Sequence, residues 1–537
     1  MEPGTSSLPN TLVELDRFTL TAGTKVLLRE ASARFEPGKV TLIVGPSGAG
    51  KSLLLRVIAG LMDASHREVK AQGSVKIGGR EVLHETGPRA VGVVFQQFAL
   101  FDELTPTENV RFAYAHQPSA RRKLSNAADP AAILSELRVP TAVRTSALSG
   151  GQQQRLAIAR TLTYNPDVIV YDEPTSGLDA ATAEQVANLI RTTHDTHPKT
   201  SIIVTHDYES LSPIADAVYL LDAKSQSLRL VEREKWTNLK DDLHTPRLIE
   251  EPLPPGDLAS RVKRWFSAAK SDPARFLIAT SHAFEAAAML PVHLVPLWRS
   301  PAWGLRYLLH YLRLVSGFSA WIYVCMIGII IGFVTTHFTF KFIPYADYTE
   351  PLIIEDLLKA VGYALYRILI PIFATVLIAA RCGAAVASDI GGKTYGKQVD
   401  ALRSFGALPQ GYLLTNILYA FLLGVPFLTV LCFFVAKLTS IIVFSAAYPD
   451  LGPPFWELHF HRELIIPGDF FYAGTGWMLA KVTVCAIGIG LIAYHIGAKP
   501  KPSSRAVSSG ITSAILWATL YVLVIHFVFA VMEFEKK

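Results

Sequence analysis

The chain has 537 residues, of which 50% are hydrophobic and 18% charged, against about 25% charged in an ordinary soluble chain. Its 51 basic and 45 acidic residues leave a formal net charge of +6, too small a bias to favour a polyanion partner. These figures disfavour a disordered chain, a nucleic-acid binder and a purely soluble enzyme, and the length predicts three or four structural units.

The N-terminal stretch has neither a basic region nor an apolar core, so no signal peptide is expected and the first domain is expected to stay in the cytoplasm. Residues 10–240 read as a soluble α/β domain, with buried strands at Val40 to Val44, Val91 to Phe95, Val168 to Tyr171 and Ser201 to Val204. After the first of these comes Gly45-Pro46-Ser47-Gly48-Ala49-Gly50-Lys51-Ser52, a Walker A pattern that runs into a helix-like segment. Such a loop turns backbone N–H groups toward phosphates, while Lys51 reaches the β and γ oxygens and Ser52 offers a hydroxyl to magnesium. The expected cofactors are therefore ATP and Mg²⁺.

The strand ending at Tyr171 leads into Asp172-Glu173. Paired acids at a strand end beside such a loop assign Asp172 to magnesium and Glu173 to the general base that activates water. His206 ends another strand and is expected to contact the γ-phosphate and keep water and base in line.

Residues 241–262 shift to charge and proline and read as a linker. Residues 263–304 are expected to hold membrane-proximal helices, because 276–298 is apolar but interrupted by His282, Glu285, Pro291, His293 and Pro296. Residues 305–537 then carry about five segments long enough to span a bilayer, near 318–340, 358–380, 413–446, 477–496 and 507–531. The 34-residue segment 413–446 reads as one tilted helix or a broken one.

With the first domain inside, Arg381, Lys393, Lys397, Arg403, Lys499, Lys501 and Arg505 fall on the cytoplasmic side. Asp347, Glu350, Glu355, Asp356, Asp450, Glu457, Glu463 and Asp469 fall outside, and the C-terminus is expected outside as well. Arg367 lies inside the second span, where a charge either faces a partner or pore or snorkels to the interface. Cys325, Cys382, Cys432 and Cys485 lie in or beside apolar stretches with no CxxC pair, which reads as small buried hydrophobes.

Leu148-Ser149-Gly150-Gly151-Gln152-Gln153-Gln154-Arg155 resembles the signature motif of ABC transporter ATPases, Gln96 their Q-loop glutamine, and Ser176-Gly177-Leu178-Asp179 their D-loop. The resemblance spans 45–206 in family order. It implies that Ser149 and Gly151 touch the γ-phosphate held by an opposed subunit, and it adds Asp179 to the nucleotide contacts. It also places Gln96 in catalysis and at magnesium, and makes 97–147 the helical subdomain. The family stacks an aromatic on adenine where this chain has Ala22, with Phe18 nearby as a substitute.

The loop after the second span carries small residues from Ala379 to Gly392, then Gln398 to Gly406 at helical spacing. This pattern reads as a short amphipathic helix stopped by Gly406 and Pro409. Arg381, Gly383, Asp389, Gly391, Asp400, Ala401, Leu402, Gly406 and Pro409 resemble the permease loop of Mla-type (maintenance of lipid asymmetry) and related MCE-associated lipid transporters. Gln398, Asp389 and Lys393 depart from the residues common in that family.

The expected fold is thus an α/β P-loop ABC-type nucleotide-binding domain followed by an all-α transmembrane permease domain. The resemblance implies an ATP hydrolase that moves phospholipid or a related lipid between membranes, as a homodimer in the inner membrane with a periplasmic MCE-type lipid-binding partner. An ABC transporter for a non-lipid substrate, and a membrane-anchored ATPase regulating a partner complex, remain the alternatives.

Overall fold

The computed structural model describes residues 11–62, 69–83, 91–117, 129–239, 289–342 and 346–534. The expected linker 241–262 and most of the segment 276–298 lie outside the described residues. The chain forms two units, Met1–Glu285 with Gly396–Leu408, and Ala286–Tyr395 with Pro409–Lys537.

The first unit is built on two sheets. An antiparallel sheet in the order β2-β1-β4-β5 joins β1 (Val13–Ala22), β2 (Lys25–Phe35), β4 (Val69–Ile77) and β5 (Arg80–Glu81). The larger sheet has the order β10-β9-β3-β8-β7-β6, from β3 (Val40–Val44), β6 (Val91–Val94), β7 (Val168–Asp172), β8 (Thr200–Thr205), β9 (Ala217–Asp222) and β10 (Ser227–Val231). Its pairs β3–β8, β3–β9, β6–β7 and β7–β8 are parallel. The four strands legible as apolar runs are these parallel ones, and every residue of β3, β6 and β8 is buried. That is the mark of strands covered on both faces. β1 and β2 alternate buried and exposed positions along much of their length, a weaker signal that leaves no continuous apolar run.

Helices α1 (Lys51–Ala59), α2 (Pro106–Ala115), α3 (Pro130–Glu136), α4 (Gly150–Tyr164) and α5 (Ala180–Thr196) complete this unit. Their starts follow capping chemistry: Thr105 and Ser149 each form a reciprocal capping box, and Asp129 and Asp179 accept bonds from the first-turn amides of their helices. α1 has no side-chain cap and no acid in its first turn, which leaves its N-terminal amides available to an anion.

The second unit is helical. After a turn at Leu290–His293 come α6 (Pro301–Ser316), α7 (Phe318–Lys341), α8 (Ala346–Ala364), α9 (Ile370–Ile378), α10 (Ala384–Tyr395), α11 (Thr415–Ala447), α12 (Gly452–Phe460), α13 (Thr475–Ala498) and α14 (Ser504–Phe534). Single π-turns at Leu365–Leu369 and Ala379–Gly383 join α8, α9 and α10 into one rod. Five helical segments among the described residues are long and apolar enough to cross a membrane.

Two expectations are corrected or resolved here. The stretch from Ala379 to Gly392 is not a loop: helix continues to Tyr395, with Cys382, Val386, Ala387 and Ile390 buried. Its small residues allow close contact, since a Cβ on Gly391 would stand 3.1 Å from Val507. The long third segment is one helix, and it passes through Pro426 without a break. Pro is tolerated inside such spans because neighbouring groups satisfy the freed carbonyl.

α7 and α11 pack most closely where Gly328 and Gly332 face Cys432, Val435 and Ala436; a Cβ on Gly328 would lie 2.8 Å from the Cys432 carbonyl. One turn along, Thr336 Oγ1 donates to Ser440 Oγ at 2.7 Å, and Trp456 Nε1 donates to the same hydroxyl at 3.2 Å. Small residues with hydroxyl bonds are the usual means of joining helices where burial from water offers no drive. All four cysteines are free; Cys382, Cys432 and Cys485 are buried and Cys325 partly so.

Candidate functional site

The segment Gly45–Gly50 links β3 to α1. Gly45 is required by space, because a Cβ there would meet the Leu221 carbonyl at 2.7 Å. Gly50 is required by both space and backbone: its φ is +101°, and a Cβ would stand 3.0 Å from Leu27. Lys51 is buried, and its Nζ donates to the carbonyls of Gly45 at 2.7 Å and Pro46 at 3.1 Å. Burial lowers its pKa, opposed by the carboxylates of Glu173 and Asp172. The ammonium is thus held inside the loop it is expected to serve.

Ser52 Oγ donates to Asp172 Oδ1 at 3.1 Å. Burial raises the Asp172 pKa, against the hydrogen bond from Ser52 and the charges of Arg56 and Lys397. Glu173 stands next to it with φ +46°, a left-handed backbone that a non-glycine residue adopts at a cost of order 1–3 kcal/mol. Its amide donates to the Val204 carbonyl at 2.8 Å, which ties it to β8. His206 Nδ1 lies 3.3 Å from Glu173 Oε1, and Gln96 Nε2 donates to Glu173 Oε2 at 3.4 Å and to Ser176 Oγ at 3.1 Å. Gln96 and His206 therefore meet at the Glu173 carboxylate, and Ser176 accepts the second bond of the Gln96 amide.

Ser52 and Asp172 offer hard oxygen atoms on one side of the loop, a donor set that fits Mg²⁺. Among the described residues no cluster of three or more His, Cys, Asp or Glu side chains is placed to hold a metal by itself.

The remaining expected residues stand elsewhere. Ser149, Gly150 and Gly151 are exposed at the start of α4, and a Cβ on either glycine would meet nothing within 4 Å. Ser149 spends its hydrogen bonds on its own helix start, with Gln152 and Gln153. Asp179 caps α5 by accepting from the Thr182 amide and hydroxyl at 3.0 and 2.8 Å, bonds that hold its pKa down. Within one chain these residues share no hydrogen bond with Lys51, Asp172 or Glu173. Phe18 is corrected: it is 0% exposed in β1, so it offers no open ring to a base. Ala22, at the end of β1, is half-buried.

The short helix expected from Gln398 to Gly406 is present, and the structure adds the partners that motif reading passed over: Asp102, Arg56, Tyr164, Phe112 and Arg160. The helix Gln398–Ser404 belongs to the first unit. Gln398 Nε2 donates to Asp102 Oδ2 at 2.9 Å, and Arg56 Nη2 lies 3.5 Å from Asp400 Oδ2. The buried Phe405 ring stands 5.2 Å from Tyr164, 6.4 Å from Phe112 and 5.2 Å from the Arg160 guanidinium. An aromatic next to a helix-stopping glycine was the available signal; Gly406 ends this helix at φ +67°.

In the second unit Arg367 does face a partner. Its Nε donates to Glu533 Oε1 at 2.7 Å; Lys481 Nζ donates to Glu533 Oε2 at 3.1 Å and to the Arg367 carbonyl at 2.5 Å. The Glu533 side chain is 0% exposed.

Fold and site together define a P-loop nucleotide-binding domain joined in one chain to a helical membrane domain. The family described as ABC transporter matches residues 28–176, and the family described as Permease MlaE matches residues 313–532. The chain is thus an ABC ATPase domain fused to an MlaE permease domain, and an integral membrane protein.

The ATPase half is 38% identical over 203 residues to the maltose/maltodextrin import ATP-binding protein MalK of Yersinia pestis bv. Antiqua, covering 37% of this chain and 53% of that protein. It is 36% identical over 215 residues to the sulfate/thiosulfate import ATP-binding protein CysA of Ralstonia nicotianae, covering 39% and 56%. The chain spans about half the length of the curated relatives it matches. Among solved structures it is similar to the dimeric structure of MJ0796, a bacterial ABC transporter cassette, with 28% identity, a TM-score of 0.34, and coverage of 41% of this chain and 98% of that one.

Proposed function

We propose that the chain is an ATP-driven transporter that moves phospholipid or a related hydrophobic lipid between membranes. The observation that carries this reading is the union, in one chain, of the Lys51–Asp172–Glu173 site with a region matching the MlaE permease over residues 313–532, in which the described residues form membrane-length helices. Two copies form two composite sites, each pairing the Lys51 loop of one copy with Ser149 and Gly151 of the other. The open approach to those residues within one chain supports this arrangement.

In hydrolysis Lys51 neutralises charge on the transferred phosphoryl group, and Glu173 takes the proton of the attacking water. His206 and Gln96 hold that carboxylate and the water in line. Ser52, Asp172 and Gln96 would hold Mg²⁺, which supplies charge neutralisation at the β and γ oxygens. The helix Gln398–Ser404, encoded between two spans yet packed in the ATPase unit, couples the nucleotide site to the permease. The permease works as a dimer in the inner membrane, with the ATPase in the cytoplasm, the C-terminus outside, and an MCE-type lipid-binding protein on the outer side.

The relatives named above are import ATP-binding proteins for maltose/maltodextrin and for sulfate/thiosulfate, but the likeness to them covers the ATPase half alone. The test is therefore made on cargo. Full-length protein in vesicles carrying labelled phospholipid should transfer lipid to an acceptor in an ATP-dependent way, and the Glu173→Gln variant should not. ATP hydrolysis with no lipid movement in the presence of an acceptor would sink the lipid assignment.

A further inference from the structure

Helix α1 carries chemistry at both ends of one turn. Ser52, in its first turn, bonds the magnesium-side carboxylate of Asp172. Arg56 is four residues on, so it lies on the same helix face, about 6 Å along the axis. Its Nη2 reaches Asp400 Oδ2 at 3.5 Å, in the helix contributed from between the second and third spans. The pair is largely shielded from water, with the Arg56 side chain 20% and the Asp400 side chain 12% exposed, so it is screened less than a surface ion pair.

Asp400 also accepts from Arg403 Nη1 at 3.2 Å through its other oxygen. It thus bridges an arginine of its own helix and one of α1. The neighbouring Lys397 caps the start of that helix in a left-handed conformation, φ +59°. The helix is anchored apart from this pair, by Gln398 on Asp102 and by Phe405 among Tyr164, Phe112 and Arg160.

We propose that Asp400 is a positioning residue for the nucleotide site: through Arg56 it holds α1, and with it Ser52, at the place that receives magnesium. A short α-helix is stiff along its axis, so a shift of the Gln398–Ser404 helix reaches Ser52 without passing through a loop. The segment from the permease half thereby sets how tightly the site takes Mg²⁺ with ATP, and by linkage bound Mg²⁺–nucleotide biases the position of that segment. This rests on the ATPase reading above, and it adds a named route to it.

The test uses full-length protein in nanodiscs and two readouts. One is the magnesium concentration giving half-maximal ATPase rate. The other is the magnesium dependence of binding of a fluorescent trinitrophenyl-ATP, which needs no turnover. Arg56→Gln and Asp400→Asn should each raise the half-saturating magnesium about threefold to tenfold in both readouts, with kcat at saturating magnesium changed by less than about twofold. The double variant should be no worse than the worse single one, as expected for two groups acting as a pair. Arg56→Lys and Asp400→Glu, which keep the charges, should stay within about twofold of wild type.

Additive effects in the double variant would overturn the proposal. So would a fall in kcat or lipid transfer with the magnesium dependence of nucleotide binding unchanged, which would leave the pair a docking contact only. A wild-type chain whose binding of the nucleotide analogue depends on magnesium, with that dependence shifted in the variants as above, but which does not hydrolyse ATP would defeat the ATPase reading while leaving this one standing.

Discussion

In the first unit, acids and cations gather at strand ends that open to water; in the second, Arg367, Lys481 and Glu533 gather where α13, α14 and the π-turn between α8 and α9 meet. The first group is built for a guest. Lys51 rests on backbone carbonyls, and Glu173 is held by Gln96 and His206. The second group is closed on itself, with one carboxylate shared by two cations and the Arg367 guanidinium also 4.9 Å from the Tyr363 ring. The same side-chain chemistry serves turnover where groups remain addressable, and fixes helix positions where they do not.

That contrast can be broken at either end. Glu173→Gln removes the base and leaves the phosphate loop intact, so ATPase rate should fall about 10²- to 10⁴-fold while nucleotide binding persists. A rate within tenfold of wild type, measured by phosphate release, would move the base elsewhere. Lys51→Ala should cost about 10²- to 10³-fold and weaken nucleotide binding as well, which equilibrium binding of a labelled analogue would read.

In the membrane half, Glu533→Gln leaves two buried cations without their carboxylate and should destabilise the unit by about 3–5 kcal/mol. Thermal unfolding in detergent reads this. Adding Arg367→Gln to that variant should recover part of the loss, whereas an unchanged melting temperature in Glu533→Gln would mean that the carboxylate is not the counter-charge. The smallest expected effect is at the base of the nucleotide. If Ala22 stands where the resemblance places the stacking residue, with Phe18 sealed in the sheet, Ala22→Tyr should tighten ATP binding by about two- to tenfold, the worth of one aromatic contact. ATP and GTP affinities measured side by side would show whether the gain favours adenine.

How far each half could be read from sequence follows from the same contrast. The nucleotide site is written in short contiguous motifs because backbone geometry has to be local: a loop that curls around phosphate needs Gly45 and Gly50 within a few residues of Lys51. The parallel strands were legible because burial on both faces leaves unbroken apolar runs. β1 and β2, exposed at alternate positions, left none. The spans were legible by length, but the partners inside them were not. Glu533 stands 166 positions from Arg367, and only packing brings them together. The spacing of Gly328 and Gly332 was a local sign of close helix contact that pattern reading passed over, because a long apolar run hides its small-residue face. The end of the second span was misplaced for a related reason: small residues that suit a loop also suit a helix pressed against α13 and α14.

The groove that receives Phe405 has a consequence for the order of events at the ribosome. Tyr164, Phe112 and Arg160 are synthesised early, but the aromatic ring that fills the space among them is encoded roughly 240 residues after Tyr164. At about 5–20 residues per second the nascent ATPase unit waits some tens of seconds with the place of that ring unfilled, and two spans are made before the segment that closes it.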